Sequence, residues 1–515
     1  MSFPVRFPPA SNRLPRLAAA LLLGGACAHA AWAQGDKQPE KPARPGWNLE
    51  TLESLRGQGA APAGASLALM SPSARAPALE GVVDLARAWR LALEHDPSYQ
   101  AAISEQAAAD TERAQGRAAL LPQVQAGYSR SRISGTIEQP GFLGQRVSSD
   151  VRYDSSSAYV QLQQPLLNYS RYADYQRGQA RAGQGLAAFA VKQQEAGLRL
   201  ATAYLNVLLA GDRLALQREL EKSLDEQARA QESLYVQNEG TRTDAQETRA
   251  RLARTRADVI AAQDQLRTVN RELQALLGAA PLQLAPAKPD FPLPPLVPAD
   301  LGVWLERARA NNAEVKSARE AVKVADTEVS RAASRYFPSM DLVASLSKAE
   351  SENLSTLSQR TNTFLVGISV NIPIFTGGYN TANTARARAD RSRLEQELRA
   401  ATERAQAETT RQYSAVLSGE QRIRALEAAA ESSRLSLEAA RKGYEYGVAS
   451  NVDVLKVQDK LFQALSDLSR ARLEYILARL SLAAAVGDLQ AGEFDAVSQV
   501  FFTAPDPARS LSTAG

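Results

Sequence analysis

The chain has 515 residues, 44% of them hydrophobic, 23% charged and 6% aromatic, which is too long for one ordinary core and too charged for a bundle of transmembrane helices. Its formal charge is +4, but Arg6, Arg13 and Arg16 sit without any acid in the first 33 residues. The remainder is close to neutral and offers no basic argument for nucleic acid.

Arg13 and Arg16 precede the apolar run Leu17 to Ala28, and Ala31-Trp32-Ala33 has the small-x-small form read by signal peptidase. Residues 1–33 are therefore expected to be an export signal, whose cleavage removes Cys27, the single cysteine. Acylation of Cys27 is the rival reading, but Gly24 stands three residues before it, where a larger aliphatic residue is usual. The mature chain then holds no thiol and one histidine, His95. No later stretch has the roughly 18 consecutive apolar residues of a transmembrane helix, so a membrane protein of this sequence must span as strands. Residues 34–81, rich in Pro, Gly, Ala and Ser, read as a flexible N-terminal extension.

A first structural repeat is expected over 82–280. Val82 to Leu121 has helical spacing, with Leu85, Trp89 and Leu93 on one face and a turn at Asp96-Pro97. Val124, Ala126 and Tyr128 then alternate with Gln123, Gln125, Gly127 and Ser129 as a strand. A polar loop at about 134–156 leads to a second alternation from Tyr159 to Gln163, a turn from Pro165 to Tyr169, and a proline-free helical stretch reaching Pro281.

Residues 281–299 form a proline-rich connector, and a second repeat at 300–489 follows the same plan. Leu301 and Leu305, a turn at Asn311-Asn312 and a helix ending at Tyr336-Phe337-Pro338 come first. Met340, Leu342, Ala344 and Leu346 alternate next, and after a loop at about 348–361, Phe364, Val366, Ile368, Val370 and Ile372 share one strand face. Pro373 ends that strand, Gly377-Gly378 relax the backbone for a turn, and 376–443 can run as one helix roughly 100 Å long. Residues 490–515, with Val497, Val500, Phe501 and Phe502, are a short C-terminal segment and a disordered tail.

Two hairpins give four strands, too few to span lipid, because an open sheet leaves edge N–H and C=O groups unpaired at several kcal/mol each. Copies of the chain must complete the wall: eight strands from a dimer, twelve from a trimer or sixteen from a tetramer. In the last helix Leu461, Leu465, Leu468, Leu473, Ile476 and Leu480 recur at mixed spacings between charges, as in helices that associate side by side. A coiled-coil bundle in solution accounts for these helices alone, not for the export signal and the hairpins. The helices reverse at 239–244 and 446–453, where Gly240 and Gly447 suit a helix C-terminus and Thr241 or Ser450 stands three residues before Asp244 or Asp453, the spacing of a capping box.

Leu120-Leu121-Pro122-Gln123, the Pro373-Ile374-Phe375-Thr376-Gly377-Gly378 turn, Gly240-Thr241-Arg242-Thr243-Asp244 and Gly447-x5-Asp453-Val454-Leu455, set in this duplicated plan, resemble the TolC-like outer-membrane factor family. The likeness covers roughly 82–503. It implies a mixed α and β membrane protein: a homotrimer with one twelve-stranded barrel in outer-membrane lipid, continued by a helical barrel through the periplasm. It also implies a periplasmic adaptor and an inner-membrane transporter as partners. By position Tyr444 and Asp453 match a gate tyrosine and a pore-lining aspartate, and Thr243-Asp244 match the corresponding pair of the first copy. Lys456 stands where a second acid is usual, Ala449 replaces a gate arginine, and the first loop is two residues shorter. Asp453 and Lys456 at i,i+3 are expected to pair, giving a gate less attractive to cations; plain helix capping by Asp244 and Asp453 is the simpler role. The Gly-Thr-Arg-Thr-Asp turn resembles type I secretion members, with small-molecule efflux as the alternative.

Catalysis has no residues to carry it. His95 beside Asp96 sits at a turn, no metal-ligand cluster is present, and Gly377-Gly378 lack the Lys-Ser/Thr of a phosphate loop, so neither enzyme activity nor a cofactor is expected.

Overall fold

Two copies of one plan follow each other along the chain. In the first, β1 (Val82–Val83) leads into α1 (Leu85–His95), α2 (Pro97–Ala118), β2 (Gln123–Pro140), β3 (Arg146–Leu167), α3 (Tyr169–Val236) and α4 (Arg242–Leu277). In the second, β4 (Gln283–Leu284) leads into α5 (Leu301–Asn311), α6 (Ala313–Ser334), β5 (Ser339–Ser351), β6 (Gln359–Asn371), α7 (Tyr379–Glu445) and α8 (Asn451–Ala485), and α9 (Ala491–Phe501) closes the chain. This computed structural model describes residues 82–140, 144–278, 283–351 and 359–503, all within the unit Arg75–Gly515. The expected export signal, the N-terminal extension and the tail after 503 lie outside the described residues.

The same local chemistry sets the short helices in both copies. Asp96 ends α1 through its N–H and starts α2 by accepting the Ser98 N–H at 2.9 Å, with Pro97 in the first turn, where a missing N–H costs nothing. Asn312 does the same between α5 and α6, accepting the Val315 N–H at 3.1 Å. The long helices match too: α3 and α7 have 68 and 67 residues, each about 100 Å of helix, and α4 and α8 have 36 and 35. Val82 and Val83, expected to be helical, instead pair in parallel with β4.

The four strands form one antiparallel sheet in the order β2-β3-β5-β6, with β2 and β6 at its edges. The hairpins are longer than sequence predicts. Much of 134–156 and 348–361, expected as loops, is strand, paired from Ser134↔Arg152 out to Pro140↔Arg146 and from Lys348↔Asn362 out to Ser351↔Gln359. Serine, arginine and acid side chains there interrupt the apolar alternation that marks a strand, yet the backbone still pairs. Pro165 is also corrected: it lies in β3, at a bulge between Pro165 and Leu167, where a residue without an N–H is tolerated. The turn into α3 is Asn168 alone, which caps the helix by accepting the Arg171 N–H at 3.1 Å. In the second copy the expected turn is present. β6 stops at Asn371, Pro373 follows, and Gly377 and Gly378 take left-handed backbone (φ 62° and 83°) ahead of α7.

Register divides the sheet into two unlike faces. One carries the rows Ala126, Val160, Leu346, Phe364 and Val124, Leu162, Ala344, Val366, followed by Leu342 with Ile368 and Met340 with Val370. The other carries Gln125, Gln161, Ser345 and Leu365, then Gln123, Gln163, Val343 and Gly367, then Asp341 with Ser369. The apolar residues of the first face stay open to the surroundings: Phe364 is 74% exposed and Ile368 62%.

α2, α3, α6 and α7 adjoin one another next to the sheet; farther along, α3 packs on α4, α7 on α8 and α3 on α8. The principal core lies between these regions, where α1, α9, β1, β4 and the connector pack on the long helices. Trp89 stacks on Phe494 at 4.8 Å, and the buried Tyr204 hydroxyl lies 3.1 and 3.2 Å from the Val83 and Ala285 carbonyls, binding β1 to the connector. The connector is thus part of the core, with Ala285 and Phe291 buried.

Candidate functional site at the helix reversals

α3 gives way to α4 through residues 237–241, and α7 to α8 through 446–450, so both reversals take five residues. The expected two-residue difference came from matching glycines. Gly447 takes left-handed backbone (φ 69°), but in the first copy Asn238 does so (φ 61°), the one non-glycine residue with positive φ among the described residues. Gly240 serves another need: a Cβ there would lie 3.0 Å from the Leu234 Cβ and 3.2 Å from the Tyr235 amide. Asn238 therefore matches Gly447, Thr241 matches Ser450 and Asp244 matches Asp453.

Both aspartates are held by their caps. The Asp244 N–H donates to Thr241 Oγ1 at 3.1 Å, and that hydroxyl donates to Asp244 Oδ2 at 2.6 Å. Ser450 and Asp453 form the full capping box: Ser450 Oγ donates to Asp453 Oδ2 at 2.6 Å, the Ser450 N–H reaches the same oxygen at 3.2 Å, and the Asp453 N–H donates to Ser450 Oγ at 3.2 Å. The hydroxyl first and the amide second hold the Asp453 carboxyl below the usual carboxylate range, and the charge of Lys456 adds to this. The expected Asp453–Lys456 ion pair is not made among the described residues, because the carboxylate is turned back onto Ser450. Thr243, Asp453 and Lys456 are exposed and Asp244 is half-buried.

Tyr444 is placed differently. Its hydroxyl accepts from Gln231 Nε2 at 2.7 Å, which ties the end of α7 to α3. Around it lies a polar ladder, buried at Gln231, Thr248, Asn451 and Gln458 and half-buried at Ser223 and Gln227, that sequence reasoning missed. Gln227 Nε2 donates to Asn451 Oδ1 at 2.8 Å, and Asn451 Nδ2 donates to Thr248 Oγ1 at 2.9 Å, so one side chain at the start of α8 bridges α3 and α4. One step along, Gln458 Nε2 and an Arg441 guanidinium N–H meet Ser223 Oγ at 3.0 and 3.3 Å. Ser223, Gln227 and Gln231 recur every four residues on α3, directly before the buried Leu224 and Ala228. That polar stripe beside an apolar one was the available signal.

The ladder has no nucleophile–base pair and suits no bond-breaking chemistry. Apart from the Arg441 guanidinium, its bonds join neutral groups across helix pairs, each one exchangeable for water at modest net cost. Beyond it, Tyr446 and Val448 stand 82% and 85% exposed at the turn.

The family described as outer membrane efflux protein matches residues 88–279 and 304–488. The chain is 35% identical over 424 residues to the alkaline protease secretion protein AprF of Pseudomonas aeruginosa, covering 82% of this chain and 88% of that one. It is 31% identical over 427 residues to the proteases secretion protein PrtF of Dickeya chrysanthemi, covering 81% and 91%. The Campylobacter jejuni CmeC outer membrane channel shares its fold, with a TM-score of 0.67 over 85% of this chain and 93% of that one, at 16% identity.

Proposed function

The chain belongs to the outer membrane efflux protein family, the TolC-like group that its motifs resemble, and we propose that it is the exit duct of a tripartite machine exporting protein. It is a channel protein of the outer membrane that extends into the periplasm and works with an inner-membrane transporter and a periplasmic adaptor. The protease secretion proteins among its relatives favour type I secretion, with a secreted enzyme or toxin as cargo. Residues 1–33 direct the chain out of the cytoplasm.

The observation that carries the reading is the sheet, which is open at β2 and β6 and apolar on one face. In lipid those edges must be paired. The β2 edge of one copy meets the β6 edge of the next, and three copies close a twelve-stranded barrel. The apolar face meets lipid. From Met340 to Leu346 it runs roughly 20 Å along the strand, and the exposed Ile372, Ile374 and Phe375 that follow β6 extend it toward an apolar band about 25 Å tall. The amide- and hydroxyl-rich face lines the lumen.

Below the barrel, α3 with α4 and α7 with α8 extend the duct to the reversals, which form its gate. Tyr444–Gln231 and the Asn451 bridge latch the α7–α8 pair onto α3 and α4, while Asp453, capped by Ser450 and followed by Lys456, attracts cations weakly. The exposed Tyr446 and Val448 give the adaptor an apolar contact at the tip.

Deletion of the chain, assayed both for protein in the culture supernatant and for drug susceptibility, tests this function. Loss of a secreted protein with unchanged susceptibility is expected. Gained susceptibility with intact secretion would replace it with small-molecule efflux, the second reading, which the family's description favours.

A further inference from the structure

Charge is sorted between the two faces of the sheet. The four strands hold eleven charged residues. Ten of them share the face of the apolar rows: the three on β2, the four on β3, Lys348 and Glu350 on β5 and Arg360 on β6. The eleventh, Asp341, is the one charge on the other face, across from Ser369 of β6 and Pro165 of β3. Every remaining position of that face is uncharged, and most are Ser, Thr, Gln, Asn or Gly.

The surroundings of Asp341 leave its charge uncompensated. Gln163 Nε2 donates to Oδ2 at 3.2 Å, while Oδ1 is enclosed and accepts no hydrogen bond. Among the described residues no base pairs with this carboxylate. Tying β3 to β5 needs only an oxygen that accepts from Gln163, which an asparagine supplies equally, so the bond does not account for the charge. Asp341 is the third residue of β5, at the end of the sheet next to α6 and α7. The reversals lie at the far end of α7, about 100 Å of helix away.

Resting on the reading of this sheet as a barrel wall with its polar face inward, we propose that Asp341 sets the charge preference of the barrel. Closure by three copies makes a ring of three carboxylates at the helix-side mouth, which draws in cationic solutes and the basic stretches of a passing polypeptide. The neutral remainder of the wall offers such a chain hydrogen bonds that exchange with water and no fixed charge to hold it. Twelve tilted strands place the wall about 12 Å from the axis. The field of the ring decays over roughly 8 Å at physiological ionic strength and about 30 Å in 0.01 M salt, so it spans the lumen fully only in the second case. Low-dielectric walls keep the field lines within the lumen.

The test reads single thiols in the full chain carrying Cys27→Ser, inserted as the oligomer in lipid nanodiscs. Ser369→Cys places a thiol across from Asp341, and Gln125→Cys places one on the same face two strands away. Each is modified with a cationic and with an anionic methanethiosulfonate reagent, and the ratio of the two rates is compared with that of free cysteine. In about 0.01 M salt the ratio should exceed that of free cysteine about tenfold for Ser369→Cys and about threefold for Gln125→Cys. Adding Asp341→Asn should return both to the free-cysteine ratio, and so should salt at about 1 M. A low-salt ratio equal to that of free cysteine at either position overturns the proposal, as does a preference that survives Asp341→Asn. Where Asp341→Asn does not assemble, the salt dependence with Asp341 in place decides, together with Asp341→Glu, which should keep the preference. Ile368→Cys checks the wall itself, since lipid should shield its thiol from both reagents. If that thiol reacts as fast as the one of Ser369→Cys, the barrel reading falls, a result distinct from a lumenal thiol without charge preference.

Discussion

Two aspartates on the long helices respond to pH in opposite senses. Bonds from Ser450 hold the Asp453 carboxyl low, whereas burial raises that of Asp212, opposed by the Ser469 hydroxyl and Arg472. For Asp453 the folded carboxyl is the stronger acid. Its contribution to the α8 cap is therefore present above the unfolded pKa and is lost as pH falls through the folded one. For Asp212 the sign reverses: stability is highest below the unfolded pKa and falls as pH rises through the folded one. Amide exchange at 450–456 should accordingly quicken on acidification below the ordinary aspartate range, and Asp453→Ala should abolish that pH dependence. If the variant keeps the same profile, the cap is not its source. The same substitution separates the capping role from an acid ring at the pore, since channel block by polyvalent cations should weaken only when Asp453 also faces the lumen. Asn451 presents a different case, because it is buried and both of its partners are buried or nearly so. Asn451→Ala leaves Gln227 and Thr248 without their bonds, at a cost of about 1–3 kcal/mol. The loss should appear as faster exchange at both reversals, whereas Lys456→Ala, on an exposed side chain, should leave exchange there unchanged.

At the scale of elements, the two copies differ where one residue type can replace another without leaving a mark on the pattern. Asn238 supplies the left-handed turn that Gly447 supplies in the second copy, so counting from glycines misplaced the first reversal by two residues. The apolar alternation of β6 and the proline-free spans of α3 and α7 were legible because each repeats a simple period over many residues. The outer halves of β2 and β3 were not, since Arg130, Arg132 and Asp154 carry charges into positions where the apolar rows would continue. Pro165 looked like a turn residue because a bulge is invisible without its partner strand. The ladder of Ser223, Gln227 and Gln231 was hidden for a related reason: polar residues at core positions read as surface until the helix facing them is known. Glycine also has two separable costs here. Gly447 has open space around its Cβ position, whereas at Gly487 (φ 81°) a Cβ would come within 2.3 Å of the Asn311 carbonyl oxygen. Gly447→Ala should cost roughly 1–2 kcal/mol, the left-handed penalty alone. Gly487→Ala must also move the α5–α6 junction, so its loss of thermal stability should be clearly larger. Equal melting shifts for the two variants would show that the junction yields freely.

For the whole molecule, the decisive contrast is between neighbouring residues on opposite faces of one strand. Ile368 is 62% exposed on the apolar face, level with Leu342, and Ser369 lies on the polar face beside Asp341. In a single chain in water these positions have similar surroundings, and arginine at either should be tolerated alike. In a closed barrel they do not. Ile368→Arg puts a charge into lipid near mid-depth, at about 2–4 kcal/mol in each copy, while Ser369→Arg places it in a wet lumen at little cost. Symmetry repeats the difference in every copy of the assembly. Outer-membrane fractions should therefore contain a heat-modifiable oligomer for the unsubstituted chain and for Ser369→Arg, and much less of it for Ile368→Arg. The conserved charge makes the comparison strict, since both variants add one guanidinium one residue apart. Equal yields would mean that the face carrying Phe364, Val366 and Ile368 does not meet lipid, and neither the barrel nor the duct could stand.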